Sequence, residues 1–135
     1  MMNSTTRFTL SEEAKAFVLT VFNEMMDMCS GITGLLVSTV DGHAVLFDFK
    51  GEQLSENRIS AMTSSLLALG ESLSKESRQS LCRYVIVQNA DGYVVTQRFG
   101  KSLVLTAIAD ENTNLGSLHR ATRVGTEKLS SFNKS

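Results

Sequence analysis

Three short turns divide most of this chain into extended segments, and they constrain its fold more than any other feature. Asp41-Gly42 and Asp91-Gly92 each separate two apolar stretches, and Asp and Gly tolerate the positive φ angles of a type I′ turn. Gly100-Lys101 separates two further stretches and has glycine where a type II′ turn favours it. Because two-residue turns join antiparallel neighbours, we predict hairpins at all three places and a largely antiparallel sheet.

The segments beside these turns have the residue pattern of strands. Val45, Phe47 and Phe49 alternate with Leu46 and Asp48, as in a half-buried strand. The final segment is apolar at nearly every position, which is typical of a central strand covered on both faces. The predicted strands are Leu35–Thr39, Ala44–Phe49, Leu81–Asn89, Tyr93–Phe99 and Ser102–Asp110.

Three other segments have the three- and four-residue apolar spacing of amphipathic helices. The first two begin after Ser11 and Ser55, a residue type that is favoured as an N-cap. They extend to about Cys29 and Lys75, and a third runs from Asn112 or Thr113 to about Leu129. The predicted order is therefore α-β-β-α-β-β-β-α, a single α+β domain with helices on both faces of the sheet.

Length, charge and cysteine content narrow the class of protein. With 135 residues we expect one domain at 8–130, with residues 1–7 and 131–135 as flexible termini. A net charge of −1 gives no basis for binding nucleic acid, and no apolar run reaches the roughly 20 residues of a membrane helix. Cys29 and Cys82 have no histidine at ligand spacing, which favours reduced thiols and a cytoplasmic location.

Gly100-Lys101-Ser102 resembles the end of a phosphate-binding P-loop, but the rest of that motif is missing. A P-loop has a further glycine five residues earlier, where this chain has Val95, and it opens a helix rather than joining two strands. His43 and His119 are interpreted as exposed side chains without a partner. We therefore expect no catalytic residue, no metal site and no cofactor.

The second helix is unusual because its twelve consecutive residues Ile59–Gly70 carry no charge. At 100° per residue its large apolar side chains span about 160°, wider than the roughly 100° stripe that one core contact requires. The opposite side carries small residues that let another backbone approach closely. We expect the helix to pack on its own sheet and on another protein surface, most simply on its own counterpart across a twofold axis.

The order of elements and several motifs resemble the Roadblock family, which includes dynein light chains and bacterial regulators of Ras-like GTPases. The resemblance runs from about Phe17 to Leu129. It is carried by the long second helix and by the segments Gly34–Gly42 (GLLVSTVDG), Val94–Leu105 (VVTQRFGKSLVL) and Asn114–Leu118 (NLGSL). It implies a five-stranded antiparallel sheet with the second helix on one face and the terminal helices on the other.

The resemblance also implies a homodimer without catalytic residues of its own. In the family, two subunits join through the strand after the second helix, here about Leu81–Gln88, into a ten-stranded sheet on which the second helices pair. The expected dimer interface comprises Ile59, Met62, Thr63, Leu66, Leu69, Leu73, Arg83, Tyr84, Val85 and Ile86. The expected surface for a Ras-like small GTPase comprises Ser60, Ala61, Ser64, Ser65 and Ala68.

Other functions stay open at this point. A dynein-type cargo or scaffold light chain is one alternative, and pairing with a different Roadblock protein is another. A small-ligand sensor of the profilin or GAF kind would need a cavity between sheet and helix. An enzyme ranks last, because no acid, base and nucleophile converge in the sequence.

Overall fold

Five strands form one antiparallel sheet in the order β2-β1-β5-β4-β3, with helices on both faces. The computed structural model describes residues 9–51 and 53–132. In chain order the elements are α1 (Glu12–Met28), β1 (Ile32–Thr39), β2 (Ala44–Phe49), α2 (Glu56–Glu76), β3 (Tyr84–Asn89), β4 (Gly92–Phe99), β5 (Leu103–Asp110) and α3 (Leu115–Phe132). The predicted α+β class and element order are confirmed.

β5 lies in the middle of the sheet, as its continuous apolar sequence predicts. It pairs antiparallel with β1 on one side and with β4 on the other. β2 and β3 are the two edges, and each has one strand neighbour among the described residues. The outer backbone groups of both edges are therefore open to a further strand.

The main hydrophobic core lies between the sheet and the pair formed by α1 and α3. Phe22 of α1 and Leu118 of α3 are fully buried there with Leu35 of β1. Gly125 lets the two helices approach closely, because a Cβ at that position would overlap the side chain of Met25. α2 lies on the opposite face of the sheet, as the family resemblance implies.

Two of the three helix starts follow the predicted caps. The hydroxyl oxygens of Ser11 and Ser55 each accept a hydrogen bond from a backbone N–H three residues further on. The expected cap of α3 at Asn112 or Thr113 is wrong. Asn114 caps this helix, because its Oδ1 accepts from the N–H three residues ahead at 3.1 Å.

α3 ends later than the expected domain boundary at residue 130. The ring of Phe132 stacks on Phe17 of α1, with the ring centroids 4.5 Å apart. Ser131 and Phe132 therefore belong to the folded domain. The remaining expected terminal residues, 1–7 and 133–135, lie outside the described residues.

The first hairpin turn is where the sequence places it, but it is not a two-residue type I′ turn. Thr39 N–H donates to the carbonyl of His43, so the loop comprises residues 40–42. Within it only Gly42 has a positive φ, of 98°. The turn is therefore a type I turn followed by a glycine with positive φ, and Asp41 needs no positive φ in it.

The other two hairpins also differ from the expected turn types. Asn89 pairs with Gly92, so Ala90 and Asp91 form the loop, and neither has a positive φ. Gly92 is required for another reason, since a Cβ there would overlap a backbone carbonyl of β5. The last loop has three residues, 100–102, rather than two.

The starts of β1 and β3 differ from the prediction by three residues each. β1 begins at Ile32 and includes Gly34, where a Cβ would lie 2.9 Å from Cδ1 of Phe49 on β2. Glycine therefore makes room for that ring inside the strand. β3 begins at Tyr84, so residues 81–83 precede the sheet, and Leu81 is 80% exposed.

We predict that Phe22→Ala lowers the free energy of unfolding by about 3–5 kcal/mol, because it leaves a cavity in the α1–α3 core. Phe47→Ala, at a side chain 43% exposed on β2, removes the same atoms from the other face and should cost less than half as much. Urea unfolding followed by circular dichroism measures both. Equal losses would contradict the placement of the core.

Candidate functional site

α2 turns its small polar side chains, rather than its large apolar ones, towards the sheet. Of its 21 residues three are buried, namely Ser60, Thr63 and Leu67. On the opposing strands Thr96 and Thr106 are fully buried, and their hydroxyls share a hydrogen bond of 3.1 Å. The interface between α2 and the sheet therefore combines hydroxyl groups with the buried side chains of Leu67 and Leu36.

The small side chains bring the backbone of α2 close to two parts of the sheet. Near its start, Ser64 Oγ donates to the carbonyl of Val40 at 2.6 Å, and a Cβ on Gly42 would lie 3.4 Å from Ala61 Cα. Near its end, a Cβ on Gly70 would lie 2.8 Å from Cys82 Sγ. Larger residues at these positions would lift the helix from the sheet.

The large apolar side chains of α2 form a stripe on its outer side. We call this the outer stripe, and its residues are Ile59, Met62, Leu66, Leu69 and Leu73. Met62, Leu69 and Leu73 are 67%, 67% and 68% exposed, and the other two are half-buried. Spacings of three and four residues repeat along it, which is the seam pattern of two helices that pack side by side.

The outer stripe and β3 form one surface. Leu66, Leu69 and Leu73 line a groove whose opposite wall is Tyr84, Val85 and Ile86. Arg83 is exposed just ahead of β3. Six of the ten residues expected at a dimer interface thus line one groove, and Ile59 and Met62 continue the outer stripe towards the start of α2. Their role in such an interface stays a prediction.

Thr63, the tenth residue, is not available for that contact. Its side chain is 4% exposed, and its hydroxyl donates to the carbonyl of Ile59 at 2.9 Å. Leu81 was not singled out by sequence reasoning. It is exposed ahead of β3 and adjacent in sequence to Cys82, which lines the same groove. Because Leu81 was predicted to be part of the strand, its exposure ahead of the sheet was not expected.

Of the five residues expected to contact a GTPase, some are buried against the protein's own sheet and others are exposed. The expectation is wrong for Ser60, which is fully enclosed by its own chain, and Ser64 is half-buried and bonded to the β1–β2 turn. Ala61, Ser65 and Ala68 are exposed on a flank of α2 beside the outer stripe. For these three the assignment stays a prediction.

His119 has a partner, contrary to expectation. Its imidazole ring lies against the ring of Tyr84, with centroids 4.5 Å apart and planes tilted by 50°. The sequence places His119 on α3 but does not show that β3 passes beneath it. The contact ties the edge strand to the α3 side of the sheet.

The carboxyl group of Asp41 takes part in the hydrogen bonds of the β1–β2 turn. Thr39 Oγ1 donates to Asp41 Oδ1 at 2.5 Å and accepts from the His43 N–H at 3.0 Å. The Thr39 hydroxyl lowers the pKa of the Asp41 carboxyl below its usual value. In the α1 core, burial raises the pKa of the Cys29 thiol, which makes it a weak nucleophile at neutral pH.

The described part of the chain has several clefts of about 360–440 Å³ that are open to solvent, and one smaller, more enclosed apolar crevice. No three His, Cys, Asp or Glu side chains there are placed to hold a metal ion. An apolar crevice between α1, α3 and the sheet has a volume of about 60 Å³ and is lined in part by Phe17 and Phe132. Pockets for small molecules usually measure roughly 300–1,000 Å³. Across residues 9–51 and 53–132, none of the helices combines the length and apolarity that a membrane crossing requires.

Solved structures resemble this fold closely, although their sequences do not. Neither a protein-family model nor a curated protein matches the chain. The gliding protein MglB from Thermus thermophilus superposes with a TM-score of 0.85 at 14% identity, over 97% of this chain and 96% of that one. MglB from Myxococcus xanthus gives 0.82 at 14% identity, over 94% and 95%. A Roadblock/LC7 domain from Streptomyces avermitilis gives 0.77 at 14% identity, over 86% and 97%. The chain therefore has the Roadblock fold that its motifs indicate.

We predict that the purified protein binds neither GTP nor ATP. Gly100-Lys101-Ser102 lies in the loop between β4 and β5 and precedes a strand, so its N–H groups do not form the cradle at a helix start that holds phosphates. Calorimetric titration with each nucleotide and magnesium tests this. Micromolar binding that is lost in Lys101→Ala would contradict it.

Proposed function

We propose that the chain is a non-catalytic regulator or scaffold that forms a homodimer and binds a small Ras-like GTPase. The observation that carries the proposal is the outer stripe, where three large apolar side chains are about two-thirds exposed on one helix. Contiguous apolar surface of this kind marks protein interaction sites on soluble domains. The Roadblock fold supports the choice of partners.

The magnitudes indicate that the outer stripe needs help from β3. Covering Met62, Leu69 and Leu73 yields about 1–2 kcal/mol each, or about 6–12 kcal/mol for two copies. Association costs about 4–15 kcal/mol in lost translational and rotational freedom. The free energy gained by burying the stripe is therefore about equal to the free energy cost of association, so a stable dimer needs a second favourable contribution.

β3 is suited to supply that contribution. Its residues Tyr84–Asn89 include no charge and no proline, the usual devices that keep an edge strand from pairing. Antiparallel pairing of two β3 strands would satisfy the outer N–H and C=O groups and join the sheets into ten strands. Leu81 and the outer stripe lie on the same side of the molecule as this edge.

The GTPase would then bind on what the paired helices leave uncovered. Ala61, Ser65 and Ala68 lie outside the seam and are small, so a partner's backbone can come close to α2. The protein would act by favouring one conformation of the GTPase. Such an equilibrium shifts only through a difference in affinity for the two nucleotide states.

We expect light scattering with gel filtration to give about twice the chain mass of 14.8 kDa at micromolar concentration. Leu69→Arg should reduce the mass to that of one chain, because it places an unpaired charge in the apolar seam. Ser72→Arg puts the same charge on the same helix outside the seam and should leave the dimer intact. A monomeric parent protein would contradict self-association, and a stable complex with another Roadblock chain would favour hetero-pairing.

We expect a pull-down from source lysate to recover a small Ras-like GTPase. We also expect the chain to bind the GDP form and the GTP-analogue form of this GTPase with different affinities. Ala68→Arg should weaken this binding at least tenfold while the dimer persists, because it fills a close contact. Ala16→Arg, at an exposed position of α1, is the matched control and should have no effect on this binding. Equal affinities for both nucleotide states would contradict the regulatory mechanism. Recovery of a dynein chain would favour the scaffold alternative.

A further inference from the structure

α2 has the weakest attachment of the three helices to its own chain. Three of its 21 residues are buried, against five of 17 in α1 and six of 18 in α3. Of the three buried residues of α2, only Leu67 is large and apolar. Packing of an apolar face supplies most of the stability of a helix in a protein. α2 has less of this packing than α1 and α3, and depends more on two hydrogen bonds, from Ser64 Oγ to the carbonyl of Val40 and from the Cys82 N–H to the Glu71 carboxylate.

Two unpaired hydroxyls weaken this attachment further. Ser60 on α2 and Ser38 on β1 are fully buried, and neither hydroxyl has a hydrogen-bond partner among the described residues. Leu35 and Val37 face the α1–α3 core, so Ser38 beside them on the strand points to the α2 side. Buried hydroxyls without partners favour states in which water reaches them.

We propose that α2 is a conditionally docked helix, held firmly on the sheet only while a second copy of the chain covers its outer stripe. In the single chain α2 opens from the sheet on its own, while the α1–α3 core and the central strands stay folded. Local opening of this kind is expected where few apolar side chains are buried.

Docking and assembly are then linked equilibria. A second copy that covers the outer stripe stabilises α2 against opening. Any change that removes this copy lets the helix open and exposes the sheet residues beneath it, which include Leu36 and Thr106. The weak attachment belongs to the single chain and does not depend on a GTPase partner. If the parent protein proves monomeric, the proposed dimer fails, but the opening of α2 is still tested directly.

Hydrogen exchange followed by mass spectrometry tests the proposal on the full chain. In the monomeric Leu69→Arg variant, we expect amides of residues 60–72 to exchange at least a hundredfold faster than those of β5, after correction for intrinsic rates. In the assembled parent protein the difference should shrink to tenfold or less. Amides of α3 serve as the internal control and should stay protected in both. Equal protection of α2 and β5 in the monomer would overturn the proposal.

A matched pair of variants tests the role of the buried hydroxyl. In the Leu69→Arg background, Ser60→Ala removes an unpartnered hydroxyl, whereas Ser65→Ala removes an exposed one from the same helix. Both raise helix propensity alike, so any difference reports the interface. We expect Ser60→Ala to slow exchange of α2 about tenfold more than Ser65→Ala. Equal rates in the two variants would show that α2 is not loosened by this hydroxyl and would overturn that part of the proposal.

Discussion

The orientation of α2 on the sheet is the constraint on which the rest of the molecule depends. Because Ser60, Thr63 and Gly70 face inward, the helix can lie close to the β1–β2 turn and to the start of β3. The same rotation turns the large apolar residues outward, next to an open edge strand.

Local sequence signals were sufficient for much of the fold. Turn residues locate all three hairpins, and the continuous apolar run of β5 places it at the centre of the sheet. The turn types were wrong: Ala90 and Asp91 lack the positive φ of a type I′ turn, and the glycine after them is required where a Cβ would overlap a carbonyl of the neighbouring strand. A dipeptide shows where the chain reverses, while the details of the turn depend on strands that are distant in sequence.

The candidate site was predicted less completely than the fold. Apolar periodicity correctly groups the outer stripe, but it normally marks the side of a helix that faces the core. Here that rule fails, since close approach of backbones requires small residues inward, and so Ser60 was assigned to the wrong side. His119 and Tyr84 show the same limit: their contact depends on the order of strands, which no local pattern contains.

The two faces of the sheet divide the work of stability and recognition. On the α1–α3 side, residues such as Phe22 and Leu118 are buried within one chain, so their free energy contributes to folding at any concentration. On the α2 side, most of the apolar area of the helix remains exposed after folding, so its free energy is released only on association. A protein that acts through surfaces needs this second kind of area, and it must then accept a helix whose inner face is weakly held. Filling that inner face with larger apolar residues would anchor α2 but would also raise it from the sheet and move the outer stripe relative to β3, whose alignment gives the surface its continuity.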